Sequence, residues 1–175
     1  MPHQNDKDHK YHLSLRVVAN VVIKDSRDRI CVIRENRKIN GEMITQWTLP
    51  GGHIEQGEHI VSGARREVQE ETSLSVDIDQ LLGIIDWSKP NHFGEHSGHF
   101  GIDLLLGGKY VEGTPIPQKE EKIIEVKFVD FKDIDSLQLK SSYTNAIKRY
   151  VDNCGIPLSH EELNTSNYQF LAEFV

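Results

Sequence analysis

Cysteine is scarce in this chain: Cys31 and Cys154 are the only two among 175 residues. Two thiols that far apart offer neither a disulfide framework nor a metal spacing, so the expectation is a pair of reduced, packed side chains. No apolar run is long enough to span a bilayer, and the polar start Met1-Pro2-His3-Gln4-Asn5-Asp6-Lys7-Asp8 lacks the apolar centre of a secretory signal. A cytoplasmic protein with no membrane attachment is expected. Positive charge is also short. Twenty Lys and Arg against 27 Asp and Glu leave a net charge of −7, which argues against a nucleic-acid polymer as partner, because a phosphate backbone is met by a basic surface. A small phosphorylated ligand is not excluded, since it would arrive with its own cation. Linkers, internal repeats and low-complexity runs are absent too, and the length suits one domain with a sizeable core. Residues 11–155 are expected to form that domain, preceded by a disordered segment 1–10 and followed by an extension 156–175 that packs on the domain or supports a homodimer.

What the chain does have is concentrated between Gly51 and Leu74. Glu67, Glu70 and Glu71 fall three and four positions apart, so on a helix they point the same way. Like-charged neighbours on one helix face cost roughly 0.2–0.5 kcal/mol per close pair, so something must offset them. A hard cation such as Mg²⁺ or Mn²⁺, which prefers oxygen ligands and joins a few carboxylates to a substrate's phosphates, would do so. A solvated acidic face is the plainer alternative. The preceding segment, Leu49-Pro50-Gly51-Gly52-His53-Ile54-Glu55-Gln56-Gly57-Glu58, favours the site: it is a glycine-rich loop that lets backbone approach a ligand closely. The helix is expected over about His59 to Thr72, with Ile60, Val61, Ala64 and Val68 as its buried stripe and the three glutamates largely off it. Arg66 is placed to hold a carboxylate, whereas Arg65 reads as an ordinary surface ion pair.

Gly52, Glu58, Arg66, Glu67, Val68, Glu70, Glu71 and Leu74 fall in the register of the Nudix hydrolase signature: Gly, five residues, Glu, seven residues, Arg-Glu, an aliphatic residue, any residue, Glu-Glu, any residue, Gly and an aliphatic residue. The segment therefore resembles that family, and the resemblance extends over about Leu13 to Asp152, through Gln46-Trp47-Thr48 ahead of the motif and Glu125-Val126-Lys127-Phe128-Val129 after it. One position departs: Ser73 stands where the family has glycine. That glycine would end the helix in a left-handed conformation, so serine there should cost up to ~1–2 kcal/mol.

The resemblance implies an α/β/α sandwich with a mixed central β-sheet, and hydrolysis of a nucleoside diphosphate linked to another moiety. It also implies metal binding by Glu67, Glu70, Glu71 and the Gly51 carbonyl, with Glu58 and Arg66 organising that shell. Family members differ in their general base, and Glu121, in a loop beyond the motif, is a candidate beside Glu67. ADP-ribose hydrolases of the family tend to carry a proline about sixteen residues after the motif, where Pro90 stands. That favours ADP-ribose or a sugar nucleotide over a nucleoside triphosphate. Arg34 and Arg37, ahead of the motif, and His92, in the loop that Pro90 begins, are candidate substrate contacts. His92, His96 and His99 share that stretch, but their spacing fits no common zinc pattern. Trp47 and Trp87 read as core residues. A second class remains open, a nucleotide-binding sensor on the same fold without turnover, although such proteins often lose motif carboxylates and none is missing here.

Strands are expected at about Leu15–Ile23, Ile30–Arg34, Gln46–Leu49, Ser75–Ile78, Leu81–Trp87, His99–Leu106 and Ile124–Phe131. Tyr143, Ala146, Ile147, Tyr150 and Val151 recur at helical spacing, and the pattern stops before Gly155 and Pro157. Ser159 with Glu162 resembles a helix cap in the tail.

Overall fold

A computed structural model describes residues 14–39, 41–89, 99–117, 122–159 and 173–174. The chain alternates β1 (Ser14–Lys24), β2 (Arg29–Ile39), β3 (Glu42–Thr48), β4 (Gly51–His53), α1 (Ile60–Thr72), β5 (Leu74–Lys89), β6 (His99–Gly113), β7 (Ile123–Asp130), a 3-10 helix (Phe131–Leu137), α2 (Ser141–Val151), β8 (Ile156–Ser159) and β9 (Glu173–Phe174). The sheet runs β3-β2-β1-β6-β5-β8-β9, with β4 paired to β1 and β7 to β2. β1 and β6 are parallel and the other neighbours antiparallel, so the sheet is mixed.

Alternation along β1 decides the layering. Ala19, Val21 and Ile23 point to one face and join Val61, Ala64 and Val68 of α1 in one buried cluster. Val22 points to the other face and joins Tyr143, Ala146, Ile147 and Tyr150 of α2. A strand with apolar residues on both faces must be covered twice, and the two helices do so. The expected α/β/α sandwich with a mixed central sheet is what the chain forms.

Several boundaries differ from expectation, each for a tertiary reason. Ser75–Ile78 and Leu81–Trp87 are one strand, because β5 crosses Asp79-Gln80 by register shifts against β6 instead of breaking. β2 runs on to Ile39, so Arg34 and Arg37 stand on a strand paired with β3. Gly51–His53, read as loop, forms the short strand β4 along β1. Ser159 ends a strand, not a helix cap: Ile156 and Pro157 pair with Leu81 and Gln80 at the β5 edge, an edge position that proline tolerates. Glu162 lies outside the described residues, as does segment 1–10. Of the two thiols, Cys31 is buried as expected and Cys154 is exposed. Burial pushes the Cys31 thiol up to about 12, with the Glu71 carboxylate adding to the shift.

Candidate active site

The site begins where β1 holds β4. Asn20 is the register partner of Gly51 and Ala19 of Gly52. A Cβ at Gly51, which has φ +142°, would lie 2.0 Å from the Ala19 carbonyl oxygen, so only glycine lets the two strands meet there. A Cβ at Gly52 would lie 2.2 Å from Glu67 Oε2. The second glycine thus clears space for a carboxylate, and the two adjacent glycines serve different needs.

Helix α1 brings the carboxylates to that strand. Val61, Gly63, Ala64, Val68 and Thr72 are its buried positions, close to the expected stripe, and they fix the opposite orientation of the acidic side chains. Glu71 Oε2 accepts a hydrogen bond from the Gly51 N–H at 2.8 Å. Arg66 ties the remainder together. Its Nε donates to Glu58 Oε1 at 2.9 Å and one terminal nitrogen to Glu58 Oε2 at 3.0 Å. The other terminal nitrogen reaches Glu67 Oε1 and Glu70 Oε2, each at 3.0 Å. The His53 carbonyl accepts a further bond at 3.0 Å. A planar guanidinium fork suits this forked geometry in a way that a lysine ammonium does not. Gly63 was not singled out from the sequence: a Cβ there would lie 2.6 Å from Glu58 Oε2, so the bare helix surface seats the carboxylate that Arg66 grips.

The charges leave a surplus. Glu58, Glu67, Glu70 and Glu71 bring four carboxylates against the one guanidinium, which leaves three negative charges in a compact patch. The Arg66 hydrogen bonds hold the Glu58 carboxyl below its ordinary value. Glu67 moves the other way: burial pushes its carboxyl up, against the pull of Arg66, and its side chain is only 17% exposed. Among the described residues no three His, Cys, Asp or Glu side chains already close around an ion. Arg66 turns Glu67 and Glu70 toward itself while Gly51 engages Glu71. Guanidinium and backbone N–H thus supply part of the offset that the sequence reading assigned to a cation. The donor set is nonetheless all oxygen, borne on one helix face beside a glycine strand, which fits a hard divalent cation and no soft one.

Ser73 closes α1 with φ 61° and ψ 22°, the left-handed conformation expected of the family's glycine. Its N–H donates to Gln69 O at 2.9 Å, and its hydroxyl to Ile116 O at 3.3 Å. The helix end keeps its geometry despite the side chain. Arg65 pairs with exposed Asp77 at 2.9 Å, the surface role expected of it.

The substrate candidates are less concentrated. Arg34 lies 3.8 Å from Glu125 and over Trp47, and Arg37 lies 3.8 Å from Glu35; both are exposed. Pro90, His92 and Glu121 lie outside the described residues. Trp47 packs against the α2-side cluster as expected. Trp87 is half-buried and its indole N–H donates to Asp103 Oδ1 at 2.9 Å, a polar pairing that one strand's pattern cannot show. Burial pushes the Tyr143 hydroxyl up; that hydroxyl is bonded to Thr48 and feels the Asp103 charge. Asp103 and the first turn of α2 therefore share one side of the sheet.

A mixed sheet between two helices, with an acidic helix latched by arginine onto a glycine-rich strand, defines a protein of the Nudix class. Comparison with known proteins agrees. The chain matches the NUDIX domain family over residues 14–151. It is similar to an ADP-ribose pyrophosphatase of Methanocaldococcus jannaschii, 26% identical over 151 residues that cover 83% of this chain and 78% of that protein. It is also similar to an RNA pyrophosphohydrolase of Pelagibacter ubique, 27% identical over 146 residues, 74% of this chain and 85% of the relative. Its fold resembles that of a NUDIX hydrolase from Nitrosomonas europaea, with a TM-score of 0.65 at 23% identity over 82% of this chain and 93% of the other. The chain belongs to the Nudix hydrolase family, whose members act on pyrophosphate bonds. No helix among the described residues is long and apolar enough to cross a membrane.

Proposed function

We propose that this chain is a divalent-cation-dependent pyrophosphohydrolase that cleaves a nucleoside diphosphate linked to another moiety, with ADP-ribose or a sugar nucleotide preferred over a nucleoside triphosphate. One observation carries the reading: four carboxylates, three of them paired with Arg66 and the fourth accepting from the Gly51 N–H, are gathered on α1 and its approach against the Gly51-Gly52 strand with a single guanidinium among them. Such a patch binds cations well and anions poorly, so a phosphorylated substrate needs a metal to enter it. The preference for ADP-ribose draws on Pro90 and on the similar protein from Methanocaldococcus jannaschii that bears that name.

Glu67, Glu70, Glu71 and the Gly51 carbonyl would hold Mg²⁺ or Mn²⁺, which when bound neutralises phosphate charge and makes water more acidic. Arg66 and Glu58 act on the carboxylates: the guanidinium fixes Glu67 and Glu70, and Glu58 fixes the guanidinium. Glu67, whose carboxyl burial pushes up, is the proposed base that accepts a proton from the attacking water, and Glu121 is the competing base. Arg34, Arg37, Pro90 and His92 are the proposed contacts to the remainder of the substrate.

The test is a panel of ADP-ribose, sugar nucleotides, nucleoside triphosphates, dinucleoside polyphosphates, coenzyme A and 5′-triphosphorylated RNA, each with Mg²⁺, with Mn²⁺ and with chelator. Metal-dependent release of a nucleoside monophosphate from ADP-ribose or a sugar nucleotide is the expected result. Turnover of none of them would overturn the hydrolase reading in favour of a nucleotide sensor, and RNA as the best substrate would overturn the small-molecule assignment.

A further inference from the structure

On the α2 side of the sheet, beside the glycine strand, stands a polar group that the proposed hydrolysis does not use. Asn20 lies in β1 with only 6% of its surface exposed, and its Nδ2 has no hydrogen-bond partner. A buried N–H without an acceptor is costly and calls for one. Asn20 sits opposite Gly51 on one flank and Leu105 on the other, while Val18, two residues back, sits opposite Asp103. Asn20 and Asp103 are therefore diagonal neighbours on one face of two adjacent strands. Asp103 takes the Trp87 indole N–H on Oδ1. Trp87 is itself the register partner of Gly101, and a Cβ at Gly101 would lie 2.1 Å from Cζ2 of its ring. The missing side chain thus lets the indole lie along β6 and reach Asp103.

We propose that Asn20, Asp103 and Trp87 form the subsite that reads the nucleobase, and that the base is adenine. The proposal rests on the nucleotide-hydrolase reading above and deepens it. With Oδ1 held by Trp87, Asp103 offers Oδ2 as acceptor, and Asn20 offers Nδ2 as donor. The complement is an edge with one donor beside one acceptor, which adenine presents as its 6-amino group and N1 and guanine as N1–H and O6; the ADP-ribose preference above decides for adenine. A half-buried indole next to that pair favours the larger stacking area of a purine over a pyrimidine. Reach is also right. Gly51 and β6 flank β1 on its two sides, about 10 Å apart at one strand spacing each, so a ribose can join a base over β6 to phosphates at Gly51.

Calorimetric titration with ADP and with its analogue lacking the 6-amino group, both with Ca²⁺, a hard cation that can accompany the phosphates, and with each ligand checked intact afterwards, tests the assignment. The wild-type protein should bind ADP at least tenfold more tightly than the analogue. Asp103→Asn, nearly isosteric, should reduce that ratio below threefold by weakening ADP alone. Trp87→Phe, which keeps an aromatic ring but removes the N–H that orients Asp103, should reduce it as well. Equal wild-type affinities for the two ligands, or a ratio unchanged in both variants, would overturn the subsite. An amino-dependent ratio without turnover in the substrate panel would leave the subsite standing and overturn the hydrolase reading. Turnover with no amino preference would do the opposite.

Discussion

Two adjacent glycines, substituted separately, should fail in different ways. A Cβ at Gly51 would meet the Ala19 carbonyl oxygen at 2.0 Å and Asn20 Cα at 2.7 Å, all backbone, and Gly51 has φ +142°. Neither strand can yield without breaking the β1–β4 pairing, so Gly51→Ala should destabilise the fold by about 3 kcal/mol, a fall in Tm of ~6–12 °C for a chain of this size. A Cβ at Gly52 meets a side chain instead. Relaxing its 2.2 Å approach to Glu67 Oε2 to an ordinary 3.4 Å contact requires the carboxylate to retreat by roughly 1 Å. A displacement of that size costs about 10²-fold in rate at a catalytic group, while the loss of one hydrogen bond from Arg66 costs only about 1 kcal/mol, or ~2–4 °C. Differential scanning calorimetry with a metal-dependent hydrolysis assay separates the outcomes. Gly51→Ala should lose mainly stability, and Gly52→Ala mainly turnover. A Gly52→Ala protein that keeps near-normal kcat would show that the Glu67 position seen here is not the one chemistry uses.

Glu70→Gln and Glu71→Gln should each remove most activity at limiting Mg²⁺ while leaving the melting curve nearly unchanged, because neither belongs to the packed stripe; normal turnover at low metal would exclude them as ligands. Val68→Asp should do the reverse, since Val68 is fully buried and an unpaired charge there costs several kcal/mol, ~4 or more. Ser73→Gly relieves about 1–2 kcal/mol of left-handed strain but gives up the weak bond to Ile116 O and adds freedom to the unfolded chain, so the net gain should be about 0.5 kcal/mol; a lower Tm would refute the strain argument. Because Arg66 holds Glu58 below its ordinary value of 4.5, the stability Glu58 contributes is present above pH 4.5 and lost as pH falls through its lower folded value. Urea titrations should therefore show wild type more stable than Glu58→Gln at pH 7 and the gap closing in acid; a gap constant with pH would deny the ion pair its role. Adding Mg²⁺ to chelated protein should raise Tm in proportion to RT ln(1 + [Mg²⁺]/Kd), and Glu71→Gln should blunt that rise.

Local spacing was enough to mark the candidate site. A helix from Ile60 to Thr72, its buried stripe and the shared direction of Glu67 and Glu70 all follow from interactions within a turn or two of chain, where sequence distance and spatial distance agree, while the left-handed Ser73 was expected from the family resemblance. The sandwich was legible too, since apolar residues on both faces of β1 require cover on both. What depends on a distant partner was not. Gly51–His53 becomes a strand only because β1 lies beside it, and Ser159 ends one only because the edge of β5 is open there. Gly63 matters through a carboxylate five residues earlier, brought back by Arg66. Asn20, Asp103 and Trp87 come from three strands, and no periodicity in any one of them signals that a buried amide, a carboxylate and an indole share a face. The sequence determined which residues could do the chemistry; strand pairing, acting over tens of residues, decided which of them meet.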